Sequence, residues 1–238
     1  MIGLIIPAHN EERYLSACLD AVRCAMAHPL LGGEPVETVV VLDACTDGSA
    51  RYVMQSGCDA LIVEARNVGA ARSAGAQAMI ARGARWLAFT DADSRVAPEW
   101  LVAQLALCAE GADAVCGCVS VDDWSMHSPA LATHWSRHYR DADGHRHVHG
   151  ANLGVSAHAY VRAGGFPALA CGEDVALVDL LIATGANVAW SAAPRVSTSG
   201  RFDARVNGGF GTTLAAWASQ LSDRQDNNED DSEPSIAL

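Results

Sequence analysis

The chain has 238 residues, half of them apolar, and a formal net charge of −12. That is length enough for one large domain with a substantial core, and the acidic balance argues against general nucleic-acid binding, which needs a basic footprint. All 16 basic residues are arginine, so a phosphate must be met by arginine, backbone N–H groups or a metal, and a P-loop lysine is excluded. The charge is unevenly placed: from Ser222 onward six acids face Arg224 alone, which contributes −5 and leaves −7 for the rest. Eight cysteines without a secretory signal do not suggest a disulfide framework. No apolar run approaches the roughly 20 residues of a membrane helix, and Met1–Pro7 carries no basic n-region. A soluble, cytoplasmic protein with no integral membrane segment is the expectation.

Strand and helix signals alternate through the first half. Residues 2–6 form an apolar run ended by Pro7, and Leu15, Cys18, Leu19, Val22, Ala25 and Met26 fall at helical spacing within 12–27. Residues 38–42 are a nearly continuous β-branched run, as in a strand buried on both faces. A turn at 46–49 leads into a helix near 49–56, followed by a strand at 60–63, an alanine-rich helix at 69–82 and a strand at 86–90. Pro98 suits the first turn of a helix over 98–108, and 113–119 reads as a further strand. The alternation predicts an α/β fold with a mainly parallel sheet flanked by helices.

The second half is less regular. Residues 121–148 are polar, rich in His and Trp, and show no clear strand; an excursion of that length is usually functional. Regularity returns with 148–155, helices near 157–163 and 174–184, short strands at 187–190 and 195–198, and a last amphipathic helix over 209–221. The acidic tail over 222–238 is expected to be disordered.

Four polar turns carry the chemistry. Asp91-Ala92-Asp93 directly follows the strand at 86–90. Two carboxylates one residue apart repel unless water or a cation neutralises them, and hard cations share carboxylate oxygens with substrate phosphates. Open α/β sheets bind ligands at the carboxyl ends of their strands, so position and chemistry together suggest a metal–phosphate site. Pro7-Ala8-His9-Asn10-Glu11-Glu12 closes the first strand and offers an amide and two acids at the same edge; capping of the next helix by Asn10 is the plainer use. Asp43 follows the 38–42 strand, where an acid meets ribose hydroxyls or a base N–H, or else bonds its own turn. Asn67 is placed to cap the helix that follows, and Arg72 lies about one turn in, within reach of a diphosphate or base or else on the helix surface.

In order and content these turns resemble the nucleotide-sugar-binding half of family 2 glycosyltransferases of the GT-A fold. The matching stretches are IPAHNEE (6–12), VVLDACTDGS (40–49), RNVGAARSAGA (66–76) and LAFTDADS (87–94), with GANLGVS (150–156), Gly164-Gly165-Phe166 and Gly172-Glu173-Asp174 in the acceptor half. The resemblance covers roughly 1–215 and implies a single GT-A-type domain, with a donor half at 1–120 and an acceptor half at 121–215. It implies transfer of a sugar from a UDP- or GDP-type donor to an unidentified acceptor, with inversion and with Mg²⁺ or Mn²⁺; a chain short for the family and without a membrane segment is expected to move a single sugar. Pro7, Ala8, Asn10, Glu11 and Asp43 would meet the base and ribose, Arg72 would line the base pocket, and Asp91 with Ala92 would hold the ribose side. Asp93 would ligate the metal. Asp174, beside Glu173, would be the general base, with His149, Asn152 and Arg201 on the acceptor side. Many members of the fold have a late metal-ligating histidine, whereas the stretch 195–201 here has none.

Two other readings compete. A nucleotidyltransferase on a related α/β sheet would release pyrophosphate, although no glycine-rich, lysine-bearing loop is present. His134-x3-His138 and His145-x-His147-x-His149 have spacings compatible with zinc and would suit a zinc-binding interaction module. A NAD-binding Rossmann protein is disfavoured, because no Gly-x-Gly-x-x-Gly follows the first strand.

Overall fold

The computed structural model describes residues 1–121, 123–169, 171–201 and 214–221. The expected tail at 222–238 and the first part of the helix expected over 209–221 lie outside the described residues; 214–221 are helical. The chain divides into two compact units, one made of Met1–Asp122 with Asp141–Ser199, the other of Asp123–Arg140 with Gly200–Leu238.

The first unit contains one eight-stranded sheet. Its strands are β1 (Ile2–Ala8), β2 (Val36–Asp43), β3 (Asp59–Val63), β4 (Trp86–Phe89), β5 (Ser94–Val96), β6 (Ala114–Val121), β7 (Leu153–Ser156) and β8 (Val188–Thr198), in the spatial order β3-β2-β1-β4-β7-β6-β8-β5. The β3, β2, β1 and β4 ladders are parallel, β7 runs antiparallel between β4 and β6, β6 pairs parallel with β8, and β5 closes the far edge antiparallel. The mainly parallel sheet expected from the sequence is present. Every residue of β1 and β4 is buried, which matches the continuous apolar runs that mark strands covered on both faces.

Helices α1 (Leu15–Met26), α2 (Ser49–Ser56), α3 (Val68–Ala81), α4 (Trp100–Ala109), α6 (Ala157–Ala163) and α7 (Glu173–Ala183) belong to this unit. The alanines and glycines of α3 allow a close approach to the sheet: a Cβ at Gly75 would stand 2.5 Å from Ile5 Cγ2 and 2.9 Å from Val41 Cγ2. At Gly69 an added Cβ would stand 2.4 Å from the Pro167 carbonyl oxygen and 3.0 Å from Glu173 Cβ, so the start of α3 is drawn in close to the start of α7.

The structure departs from the expected elements in three places. Pro98 lies in the turn before α4, which begins at Trp100. The strands expected at 187–190 and 195–198 are one strand with a register shift, in which Gly117 pairs with Ser191 but Cys118 pairs with Arg195. Strand β5 is only three residues long and was not foreseen. The second unit contains α5 (Pro129–His138), capped by the Ser128 side chain, and an aromatic cluster in which Trp135 stacks on Tyr139 with centroids 4.2 Å apart.

Candidate active site

The carboxyl ends of β1, β2, β4 and β8 lie along one edge of the sheet, and β7, running the other way, begins there: Leu153 pairs with Phe89. The chain therefore gathers Asn10, Asp43, Asp91, Asp93, Gly150 and Ser199 on one side of the first unit. Ligands of open α/β sheets bind at such an edge.

Asn10 has a φ of 56°, and its Oδ1 accepts from the Thr46 backbone N–H at 2.7 Å, which joins the turn after β1 to the turn after β2. It caps no helix: the residue before α1 is Tyr14, and no acid stands in the first turn. Glu11 is buried, and its backbone N–H donates to Ser49 Oγ at 2.8 Å. Asp43 does not bond its own turn. Its two oxygens accept from the backbone N–H groups of Arg66 and Asn67, each at 2.8 Å, and so fix the approach to α3. Asn67 caps α3 as expected, accepting from Ala70 N–H at 2.9 Å. Pro7, Ala8 and Ala92 are buried, so only their backbone atoms can meet a ligand.

Arg72 is not on the surface of its helix. It is 4 % exposed, and its guanidinium donates to Asp91 Oδ1 at 2.5 Å and to Glu173 Oε1. Its Cζ lies 5.8 Å from the centre of the Phe166 ring. Its Nε is buried without a partner among the described residues, so the two terminal nitrogens hold the acids. Burial opposes the charge on Arg72, but the carboxylates of Asp91 and Glu173 win and keep it above its ordinary value. Burial raises the Glu173 carboxyl above its ordinary value, with Arg72 opposing. Asp174 is half-buried; its Oδ2 accepts from Gly150 N–H at 2.8 Å, and its Oδ1 accepts from Val175 N–H at 2.8 Å.

Asp93 is half-buried. Its Oδ2 accepts from Ser199 Oγ at 2.7 Å and its backbone oxygen from Ser199 N–H at 3.2 Å. Beside it, Ser94 Oγ donates to Thr198 Oγ1 at 2.9 Å, where β5 pairs with β8. Among the described residues no three His, Cys, Asp or Glu side chains come together as a metal cage. A single half-buried carboxylate suits a Mg²⁺ or Mn²⁺ ion that keeps waters and takes its other ligands from a diphosphate, so the donor set at Asp93 fits a metal that arrives with substrate.

Of the expected acceptor-side residues, His149 leads into the turn at Gly150–Asn152, and burial, with His147 and His145 adding, pushes its imidazole down to about 3. Asn152 has a different placement from the one expected. It is 1 % exposed, accepts from Trp100 Nε1 at 2.8 Å, and donates to the carbonyls of Cys118 at 2.6 Å and Pro194 at 3.0 Å. Those carbonyls flank the register shift between β6 and β8, so the Asn152 amide staples an irregular ladder. Arg201 falls in the second unit. Sequence reasoning missed Ser199 and the buried Arg72–Glu173 pair; the helix pattern of α3 gave no sign of which face was covered. His134 and His138 stack with centroids 4.0 Å apart, and His138 Nδ1 lies 2.8 Å from the His134 carbonyl oxygen.

An open, mainly parallel sheet with polar turns and an Asp-x-Asp at the carboxyl ends of its strands defines a class of α/β domain that takes ligands at that edge. The family model for glycosyl transferase family 2 matches residues 4–164, more than half of the chain, and the protein belongs to that family. No curated protein matches the chain.

Solved structures share the fold. TarS 1–349 of S. aureus in complex with UDP-GlcNAc superposes with a TM-score of 0.67 at 14% identity, covering 88% of this chain and 61% of that one. The mannosyltransferase PcManGT from Pyrobaculum calidifontis in complex with GDP-Man and Mn2+ gives 0.62 at 19% identity, covering 86% and 58%. GalNAc-T7 with UDP, GalNAc and Mn2+ gives 0.64 at 16% identity, covering 93% and 48%. The chain thus spans about three fifths of the TarS 1–349 chain. Among the described residues no helix is long and apolar enough to cross a membrane.

Proposed function

We propose that the protein transfers a single sugar, with inversion, from a UDP- or GDP-type donor to an acceptor hydroxyl, aided by Mg²⁺ or Mn²⁺. The observation that carries this reading is the convergence of Asp43, the Asp91–Asp93 pair and Asp174 on one sheet edge, from three separate parts of the chain. Asn10, Glu11 and Asp43 line the base and ribose side, with the backbone of Pro7 and Ala8; Asp91 and Ala92 border the ribose and diphosphate. Asp93 holds the metal, which when bound screens the charge left on the departing diphosphate.

Asp174 acts as general base. Its carboxylate takes the proton of the acceptor hydroxyl as that oxygen forms a bond to the anomeric carbon. The bond from that carbon to the diphosphate oxygen breaks, and its electron pair leaves with the nucleoside diphosphate. Hydrogen bonds from Gly150 and Val175 hold the Asp174 carboxylate ready for this step. The neutral His149 belongs to the acceptor side.

The test is release of UDP or GDP from a panel of nucleotide sugars with Mg²⁺ or Mn²⁺. Asp93→Ala is expected to abolish metal-dependent donor binding. Asp174→Asn is expected to keep donor binding and lose turnover by about 10²- to 10⁴-fold, the usual worth of a positioned base. Near-native transfer by Asp174→Asn would refute the base assignment, and pyrophosphate release from a nucleoside triphosphate would favour a nucleotidyltransferase instead.

A further inference from the structure

We propose that Arg72 is a positioning residue whose buried guanidinium ties Asp91, after β4, to Glu173, at the start of α7, and thereby sets where Asp174 stands. A residue that lined a base pocket would keep hydrogen-bond donors for the ligand. Each terminal nitrogen of Arg72 instead gives a hydrogen bond to a carboxylate, and at 4 % exposure the remaining N–H groups are enclosed by protein. The carboxylates come from positions 19 and 101 residues away in the chain. They belong to the two halves of the site, Asp91 to the donor side and Glu173 to the helix that carries Asp174.

The surroundings fix the guanidinium in place. Phe166 lies at one side of it, and the backbone of Gly150 lies against it closely enough that a Cβ there would stand 2.4 Å from Arg72 Cζ. Gly150 also gives its N–H to Asp174. Arg72 therefore touches Asp174 through two routes, one along α7 from Glu173 and one through Gly150. A guanidinium holds two carboxylates in a fixed planar fork, whereas an ammonium offers only rotatable donors on a point charge and does not fix their angle. In this arrangement Glu173 serves Arg72 and leaves proton transfer to Asp174.

This inference deepens the proposed transferase reading, and the experiment separates the two. The first arm is hydrogen exchange on the ligand-free chain, comparing wild type with Arg72→Met, Arg72→Lys and Gly150→Ala. The clamp predicts faster exchange at Gly150 and at 173–176 in all three variants, with α1 unchanged. Faster exchange confined to α3 around residue 72, with 150 and 173–176 unchanged, would overturn it. Should Arg72→Met not fold, Arg72→Lys and Glu173→Gln carry the same comparison with smaller changes in shape.

The second arm is binding of UDP and GDP with Mn²⁺. Glu173→Gln and Arg72→Met are each expected to weaken binding by about 10-fold, as outer partners of ligand-holding groups do. The double variant should be no weaker than Arg72→Met alone, because Glu173 reaches Asp91 only through Arg72. Additive losses would overturn the clamp. If wild type binds neither nucleotide, the transferase reading fails, and the exchange arm still decides the clamp.

Discussion

The two halves of the sheet are built differently. In the β3-β2-β1-β4 half, parallel strands alternate with helices, and the polar side chains at the edge fold back on neighbouring turns. Asn10 holds the 46–47 turn and Asp43 holds 66–67. In the β7-β6-β8-β5 half the order is mixed, β8 is irregular, and the important contacts span long stretches: Ser199 reaches back 106 residues to Asp93. The turns after β1 and β2 are held within the first half itself. The second half depends on single staples, Asn152 within the sheet and Arg72 at the junction. The molecule thus joins a half whose edge is mostly held by local turns to a half whose geometry rests on a few buried polar groups.

Removing a staple should therefore do more damage than removing a turn contact. Asn152→Leu takes away partners from Trp100 Nε1 and from the carbonyls of Cys118 and Pro194. Each buried group left unpaired costs about 1–3 kcal/mol, so denaturant unfolding should show a loss of roughly 3 kcal/mol or more. Asp43→Ala strips acceptors from two backbone N–H groups, at Arg66 and Asn67 where solvent can reach, and should lose about 2 kcal/mol by the same measurement. If the Asp43 variant suffered the greater loss, the contrast between the halves would be wrong.

Ser199→Ala should sharpen the contrast on the side of ligand binding. Its hydroxyl orients Asp93 from the far half, and loss of such an outer partner is worth about 10-fold in metal affinity. Calorimetric titration of Mn²⁺ with nucleotide diphosphate checks it, with unfolding stability expected to move little.

A further effect concerns pH. His149 is held neutral down to about 3, whereas an unfolded histidine takes its proton near 6.5. Between those values the unfolded chain binds more protons, so stability falls as pH falls, by at most about 1.4 kcal/mol per pH unit for one proton. His149→Gln should flatten that acid slope relative to wild type in thermal unfolding across pH 4–6.5. An unchanged slope would mean that His149 is not held neutral by the fold.

The contrast also explains what could be read from the chain alone. The parallel half has continuous apolar strands, a capping Asn67 and acids placed after strands, all of them local signals. Elsewhere the signals were not local. Strand β5 is three residues long and needs Thr198 as a distant partner. The register shift in β8 is spanned by the Asn152 amide, which no spacing reveals. Arg72 sits in an alanine-rich helix where both faces look alike in sequence, so its burial depends on Phe166, Gly150 and Glu173 arriving from elsewhere. Asn10 had the composition of a cap but not the backbone: its φ of 56° turns the amide toward the next loop.

The central claim is that this edge holds a nucleotide diphosphate with a metal at Asp93. The most direct measurement is calorimetric binding of UDP and GDP with and without Mn²⁺ to wild type, Asp93→Ala and Asp174→Asn. The account predicts metal-dependent binding of one nucleotide by wild type and Asp174→Asn, and its loss in Asp93→Ala. Binding that is equal in all three proteins, or that ignores the metal, would contradict it.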